Sequence, residues 1–329
     1  MKKALKYLSI TTLMSALFLT GCGNGDKKEA GNGDKSDYTI GVTQFVEHPS
    51  LDAAYEGFQK AIKEEGLNVT YKEENAQGDM NNSQTIATNL VGEKVDLIFA
   101  NATPSAQAAV NATSDIPIVF TSVTDAVGAK LVDSMDKPGG NVTGTVDMHP
   151  DAIPNTVKFI SEQMGAKKVG MIFNAGEQNS VAQVEVAKKE AKKYNIEVVE
   201  RSVATSSEVK TAAESLVGKV DVYYIITDNT AVSALESVVE VAEEKDIPLF
   251  VGELDSVKRG GFAAYGFNYE DIGYQAGKMA ADILKNGKNP KDIKVEYPAN
   301  LKLVINKKAE KEMKIEHKAE WDKEAEFIE

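Results

Sequence analysis

Cysteine occurs once, at position 22, in a chain of 329 residues. A lone thiol closes no internal disulfide and builds no multi-cysteine metal site. Histidine occurs three times, as His48, His149 and His317. These lie far apart, with none of the short spacings of zinc ligands. Arginine is nearly missing, represented only by Arg201 and Arg259. Sites that clamp phosphates or dicarboxylates favour arginine forks, so such ligands fit poorly. No Walker A loop, G-x-G-x-x-G turn or G-x-S-x-G elbow occurs. Acid pairs such as Glu253 and Asp255 arise in any acidic chain and define no catalytic site. The expectation is a non-enzyme with no metal and no cofactor.

What the chain has in excess is acid. Its formal net charge is −13. Residues 1–21 carry three lysines and no acids, so their removal brings −13 to −16. Such a surface suits neither nucleic acid nor anionic lipid. The charges are interspersed, as on a solvated exterior.

The amino terminus is different. Lys2, Lys3 and Lys6 precede an apolar run, Leu8 to Leu19, that is too short for a comfortable membrane span. The run ends in Leu19-Thr20-Gly21-Cys22, which resembles the bacterial lipoprotein signal. That resemblance implies a signal peptide over 1–21, a diacylglycerol on Cys22, and a body held at the outer face of the cell membrane. Residues 23–37 contain no large apolar side chain and read as a flexible tether, so 22–37 forms a lipid-anchored linker. The folded body starts near Tyr38 and runs about 290 residues, enough for two domains with proper cores.

From Tyr38 the pattern alternates. Strands are expected at 39–45, 69–73, 95–100 and 117–123, with helices at 51–65, 81–92 and 104–112. The alternation then restarts. Helices are expected at 151–164, 178–194, 206–217 and 229–244, with strands at 168–173, 197–203, 220–226 and 248–252. Strands alternating with helices predict βαβ units and parallel sheets. Two such runs predict an α/β protein of two similar, Rossmann-like lobes. A faint echo between VDLIFANATPSAQAAV (95–110) and VDVYYIITDNTAVSAL (220–235) supports the pairing. After 252 the rhythm loosens. Strands are expected at 260–269, 293–298 and 301–305, and a helix at 270–286. The tail, 315–329, reads as a docked surface helix or a frayed end.

Several stretches carry a family resemblance. TIGVTQFVEHPSLDAAYEGF, NATPSAQAA, FTSVTDAVGAKLV, GGNVTGTVD, IFNAGEQNS and ITDNTAVSAL are similar to the substrate-binding lipoproteins of ABC importers that include tryptophan- and tyrosine-binding proteins. The resemblance covers nearly the whole body, in order. It implies a type I periplasmic-binding-protein fold, three interlobe connections and a hinged cleft. It also implies an aromatic amino acid as ligand and a membrane permease as partner. The lobes are then expected at 38–148 with 263–290, and at 149–262 with 291–329. A nucleoside or sugar ligand, or a sensory role, stays open as an alternative. Trp321 sits in the charged tail, which argues mildly against a sugar site.

In open α/β sheets ligands bind at the carboxyl ends of strands. The junction after 168–173 carries Asn174, Gln178, Asn179 and Ser180 at a helix start, where free N–H groups favour negative charge. Asn179 and Ser180 in one lobe, with Thr103 and Ser105 in the other, are candidate donors to a ligand carboxylate. Helix capping is the other reading of all four. Asp228, with Asn229 beside it, is the candidate acceptor for an ammonium, or a helix N-cap, or both. Gln44, Phe45, Glu47 and His48 follow the first strand. Phe45 or His48 would face an aromatic ring, and Glu47 is a second choice for the ammonium. Asp125 closes the loop after 117–123, as cleft wall or cap. Glu253, with Asp255, follows 248–252 in the second lobe. Tyr265 lies near a crossover, as hinge, core or pocket wall.

Overall fold

A computed structural model describes residues 37–329. The expected signal peptide, Cys22 and all but the last residue of the expected tether lie outside the described residues.

The first lobe is built from β1 (Tyr38–Gln44), α1 (Pro49–Glu64), β2 (Val69–Asn75), α2 (Met80–Gly92), β3 (Leu97–Asn101), α3 (Thr103–Ala112), β4 (Ile118–Val123) and β5 (Val142–Val146). Its strands are all parallel, in the order β2-β1-β3-β4-β5. β3, β4 and β5 are buried at every residue, as expected of parallel strands covered on both faces. α1 shows how local sequence sets an element. Pro49 occupies the first turn, where its missing N–H costs nothing, and Leu51, Ala54, Phe58 and Ile62 form the buried stripe.

The chain then crosses to the second lobe. There lie α4 (Ala152–Glu162), β6 (Lys168–Phe173), α5 (Gln178–Lys193), β7 (Glu197–Ser202), α6 (Val209–Leu216), β8 (Val222–Ile225), α7 (Asn229–Ser233), α8 (Leu235–Glu244), β9 (Leu249–Val251), α9 (Leu254–Lys258) and β10 (Ala263–Gly266). The helix expected over 229–244 is thus two helices, broken at Ala234.

A second crossing follows β10. The helix α10 (Tyr269–Asn286) packs along α1 in the first lobe. Glycine permits the approach. A Cβ on Gly273 would stand 1.8 Å from the Ala54 carbonyl oxygen, and one on Gly57 would stand 2.0 Å from that of Glu270. Ile293 and Val295 also pack into first-lobe cores, and Glu296 bridges to Thr145 of β5. After a third crossing come β11 (Lys302–Asn306), α11 (Lys307–Glu312) and β12 (Ala325–Ile328) in the second lobe. The second sheet runs β12-β11-β10-β9-β8-β6-β7, with only the β10–β11 pair antiparallel.

Two expectations need correction here. The lobe boundaries differ from those expected at both late crossings: β10, within 263–290, hydrogen-bonds to β9 and β11 of the second lobe, and Ile293, Val295 and Glu296, within 291–329, pack on the first, so the second crossing falls after Gly266 and the third after Glu296. The tail is neither a surface helix nor frayed. Trp321 is 3% exposed, packed on Phe159 and Phe262, and β12 extends the sheet edge.

Candidate functional site: a closed cavity between the lobes

The loops after β1, β4, β5, β6, β8 and β9 converge between the lobes. They enclose a cavity of about 10 Å³, room for about one water. His48, Ser122, Asp147, Asn179, Asn229 and Glu253 supply its polar lining, and Leu51, Val232 and Tyr269 its apolar faces; Thr227 also contributes. No lysine or arginine is among the lining residues.

Three polar atoms of this lining are buried without a hydrogen-bond partner: His48 Nδ1, Ser122 Oγ and Asn179 Oδ1. Orphaned buried polar atoms are costly, so their gathering around one cavity marks it as a place for a polar ligand. Ser122 is further held at φ 56°, a left-handed backbone that non-glycine residues adopt at a cost.

The lining carboxyls are poorly solvated. Burial lifts Asp147 to about 6, against the hydrogen bonds it accepts from Thr124 and Tyr269. Burial also lifts Glu253 to about 7, against the bond it accepts from Ser256. His48 moves the other way. Burial, and then the charge of Arg259, lower it to about 4, so it is neutral near pH 7. At neutral pH the cavity therefore faces acid and a neutral imidazole.

Glu177 positions the second-lobe amides. It is fully buried and accepts from Asn229 Nδ2 at 2.6 Å and Asn179 Nδ2 at 3.2 Å, and from the Thr230 hydroxyl at 2.9 Å. Holding the Asn179 Nδ2 inward leaves its Oδ1 for the cavity. Asp228 caps α7 through Ala231 N at 2.6 Å, and also accepts from Ser180 Oγ at 2.6 Å and Asn174 N at 2.7 Å. Burial and the neighbouring Glu177 charge both push its carboxyl upward.

Contacts between the lobes flank the cavity. Ser50 Oγ donates to Asp255 Oδ2 at 3.2 Å, Gln183 Nε2 donates to Thr124 Oγ1 at 3.4 Å, and His48 meets the Asn229 side chain.

Of the candidates read from sequence, His48, Asn179, Asn229 and Glu253 line the cavity. Ser180 and Asp228 stand behind it, bonded to each other. Thr103 is buried at the start of α3 with its hydroxyl unpartnered, and Ser105 Oγ accepts from Thr43 at 3.4 Å; neither lines the cavity. Gln44 braces its loop through Asp52 at 2.7 Å and Asn101 at 3.0 Å. Phe45 is in the first-lobe core and also borders a separate interlobe cavity of about 270 Å³. Glu47 is exposed. Asp125 caps a turn through Gly128 N at 2.8 Å. Tyr265 faces Phe159 in a groove of the second lobe, beside Trp321. Ser122, Asp147, Thr227 and Tyr269 were not singled out from sequence. Ser122, Asp147 and Thr227 lie inside stretches that carried the resemblance. Asp147 follows β5, a strand too short and threonine-rich to read.

Two α/β lobes, joined by three crossings and closed over a polar cavity at their strand ends, define a two-lobed binding protein of the type I periplasmic fold. More narrowly, the chain belongs to the family described as "ABC transporter substrate binding protein", which it matches over residues 39–327. It is 46% identical over 318 residues to a "Tyrosine-binding protein" of Clostridioides difficile strain R20291, across 93% of this chain and 91% of that one. It is similar to a crystal structure of an ABC domain in complex with L-Trp from Streptococcus pneumonia, with a TM-score of 0.85 and 34% identity over 89% of this chain and 100% of that one. A ligand-free, open substrate-binding protein with adhesive properties from Clostridium difficile gives a TM-score of only 0.65, despite 40% identity over 89% of this chain and 99% of that one. Higher identity with lower structural agreement points to a difference in lobe setting. This chain superposes better on the tryptophan complex than on the open structure.

Proposed function

We propose that this chain captures an aromatic L-amino acid, tyrosine or tryptophan, in the interlobe cavity and presents it to an ABC permease. The carrying observation is the convergence of three unpartnered polar atoms and two buried carboxyls on one enclosed space. Asp147 and Glu253 receive the ammonium, through charge-assisted bonds that compensate their burial. Ser122 Oγ serves the carboxylate without arginine. His48, Leu51, Val232 and Tyr269 contact the ring.

The cavity as closed is far smaller than an amino acid. Entry therefore requires the lobes to part, and closure around the ligand is the recognition event. The sequence resemblance at Leu19–Cys22 supports a lipid anchor on Cys22 that keeps the protein at the outer face of the membrane, beside the permease.

A thermal-shift screen against the twenty amino acids, with nucleosides and sugars, tests this. A ligand at about a hundredfold over its Kd adds about 2.7 kcal/mol of stability. Tyrosine, tryptophan or phenylalanine should give the largest rise. A larger rise with a nucleoside or sugar, and none with aromatic amino acids, would overturn the assignment.

A further inference from the structure

Gln183 is the one α5 side chain that donates a hydrogen bond across the lobes among the described residues. It is buried, and every bonding position on its amide is used. Oε1 accepts from Thr227 Oγ1 at 2.9 Å and Thr227 N at 3.3 Å. Nε2 donates to Asn179 O at 3.4 Å, within the second lobe, and to Thr124 Oγ1 at 3.4 Å, in the first. Thr227 thus pins the amide in the orientation that presents Nε2 to the other lobe.

The contact continues into two of the three hinge connections. Thr124 Oγ1 donates to Asp147 Oδ1 at 2.9 Å, and Tyr269 OH donates to Asp147 Oδ2 at 2.9 Å. Asp147 lies on the first crossing and Tyr269 begins α10 after the second. Both also line the cavity. A threonine hydroxyl has one proton and two lone pairs. While Asp147 is an anionic acceptor, it takes that proton and turns the lone pairs toward Gln183. A cation held against Asp147 keeps it ionised, and a polarised hydroxyl accepts more strongly.

We propose that Gln183 is a positioning residue that converts occupancy of the cavity into lobe closure, through Thr124 and Asp147. This rests on the cavity being the ligand site. When the lobes part, the Gln183–Thr124 bond breaks, and only water can replace it. Its loss therefore speeds opening more than it hinders first encounter.

The test uses Gln183→Met, Thr124→Val, their double variant and Thr124→Ser. Tyrosine dissociation is followed by stopped flow, and lobe closure by small-angle X-ray scattering with and without tyrosine. Each of the first two variants should raise koff about fivefold, the effect of one ordinary hydrogen bond. Association should change less than twofold, the double variant should dissociate no faster than the faster single, and Thr124→Ser should behave as wild type. Thr124→Val leaves the second-lobe bonds of Gln183 intact, so it carries the test if Gln183→Met folds poorly. Unchanged koff, or effects that multiply in the double variant, would overturn the proposal. If the wild type binds no aromatic amino acid, the ligand assignment fails instead. The ligand-free scattering then decides the latch: identical closed fractions in wild type and Thr124→Val reject it.

Discussion

Replacing Glu253 with glutamine should make the ligand-free protein more stable and its amino-acid binding weaker. The residue is 2% exposed, and burial lifts its carboxyl from 4.5 to about 7. The folded protein therefore keeps a proton that the unfolded chain releases between pH 4.5 and 7. The sign follows from linkage: this group's contribution is fully present below 4.5 and is lost as pH rises through 7. At about 1.4 kcal/mol per pH unit, the deficit above pH 7 is about 3 kcal/mol. Glutamine removes the charge, keeps the acceptor for Ser256 Oγ, now met at 2.7 Å, and offers Ser50 a donor. Allowing for imperfect hydrogen bonding, the expected gain at pH 8.5 is about 2 kcal/mol.

Urea denaturation of both proteins at pH 8.5, 7 and 5 measures it. The advantage of Glu253→Gln should shrink to under about 1 kcal/mol at pH 5, where the wild-type carboxyl holds its proton in the folded state. His48, depressed to about 4, acts in the opposite direction: its contribution is present above 6.5 and lost as pH falls through 4. It is common to both proteins and cancels in the difference. Calorimetry with tyrosine should show affinity lower by about tenfold or more, from loss of a charge-assisted bond. A stability difference that is flat with pH, or a variant less stable at pH 8.5, would refute the reasoning.

Other substitutions separate architecture from recognition. Asp228→Ala strands Ser180 Oγ and the Asn174 and Ala231 N–H groups. It should cost about 3 kcal/mol in urea denaturation, with ligand affinity falling as the second lobe loosens. Gly273→Ala puts a methyl 1.8 Å from the Ala54 carbonyl oxygen, so α1 and α10 must separate. A loss of several kcal/mol, or failure to fold, is expected, and an unchanged melting temperature would contradict that packing. Ser122→Gly relieves a φ of 56° while deleting a cavity hydroxyl. Stability should rise by about 1 kcal/mol while tyrosine affinity falls; the two measured together distinguish strain from ligand contact.

The βα alternation made most of the fold legible, because burial on both faces leaves runs such as Leu97-Ile98-Phe99-Ala100 that little else explains. The elements that escaped are those whose apolar content is modest and whose partners are distant. β5 reads Val-Thr-Gly-Thr-Val and is a strand because β4 lies beside it. β12 holds only Phe327 and Ile328 as large apolar residues, and forms because β11 offers an edge. The crossing after Gly266 was misplaced because nothing local distinguishes which sheet a short strand joins. The site was legible to the level of the strand ends, where His48, Asn179, Asn229 and Glu253 were picked out. It was not legible which polar groups at those ends cap their own helices and which stay free. Asp228 and Ser180 satisfy one another, whereas Ser122 and Asn179 keep an atom in reserve, and only packing across the cleft decides between these fates.

The scarcity of arginine takes on meaning against this cavity. Asp147 and Glu253 face a space that holds no cation of its own, and closing it at neutral pH brings two carboxyls out of water together. The second-lobe acids behind them are quieted differently: Glu177 and Asp228 are held by donors at the start of α7 and by Ser180. An arginine in the lining would neutralise the facing carboxyls permanently and hold the lobes shut with nothing between them. The nearest one, Arg259, is turned onto Glu236, with Nε and Nη2 each at 2.8 Å. On the proposed reading, the missing cation is supplied by the ammonium of the cargo, so closure and recognition become the same electrostatic event.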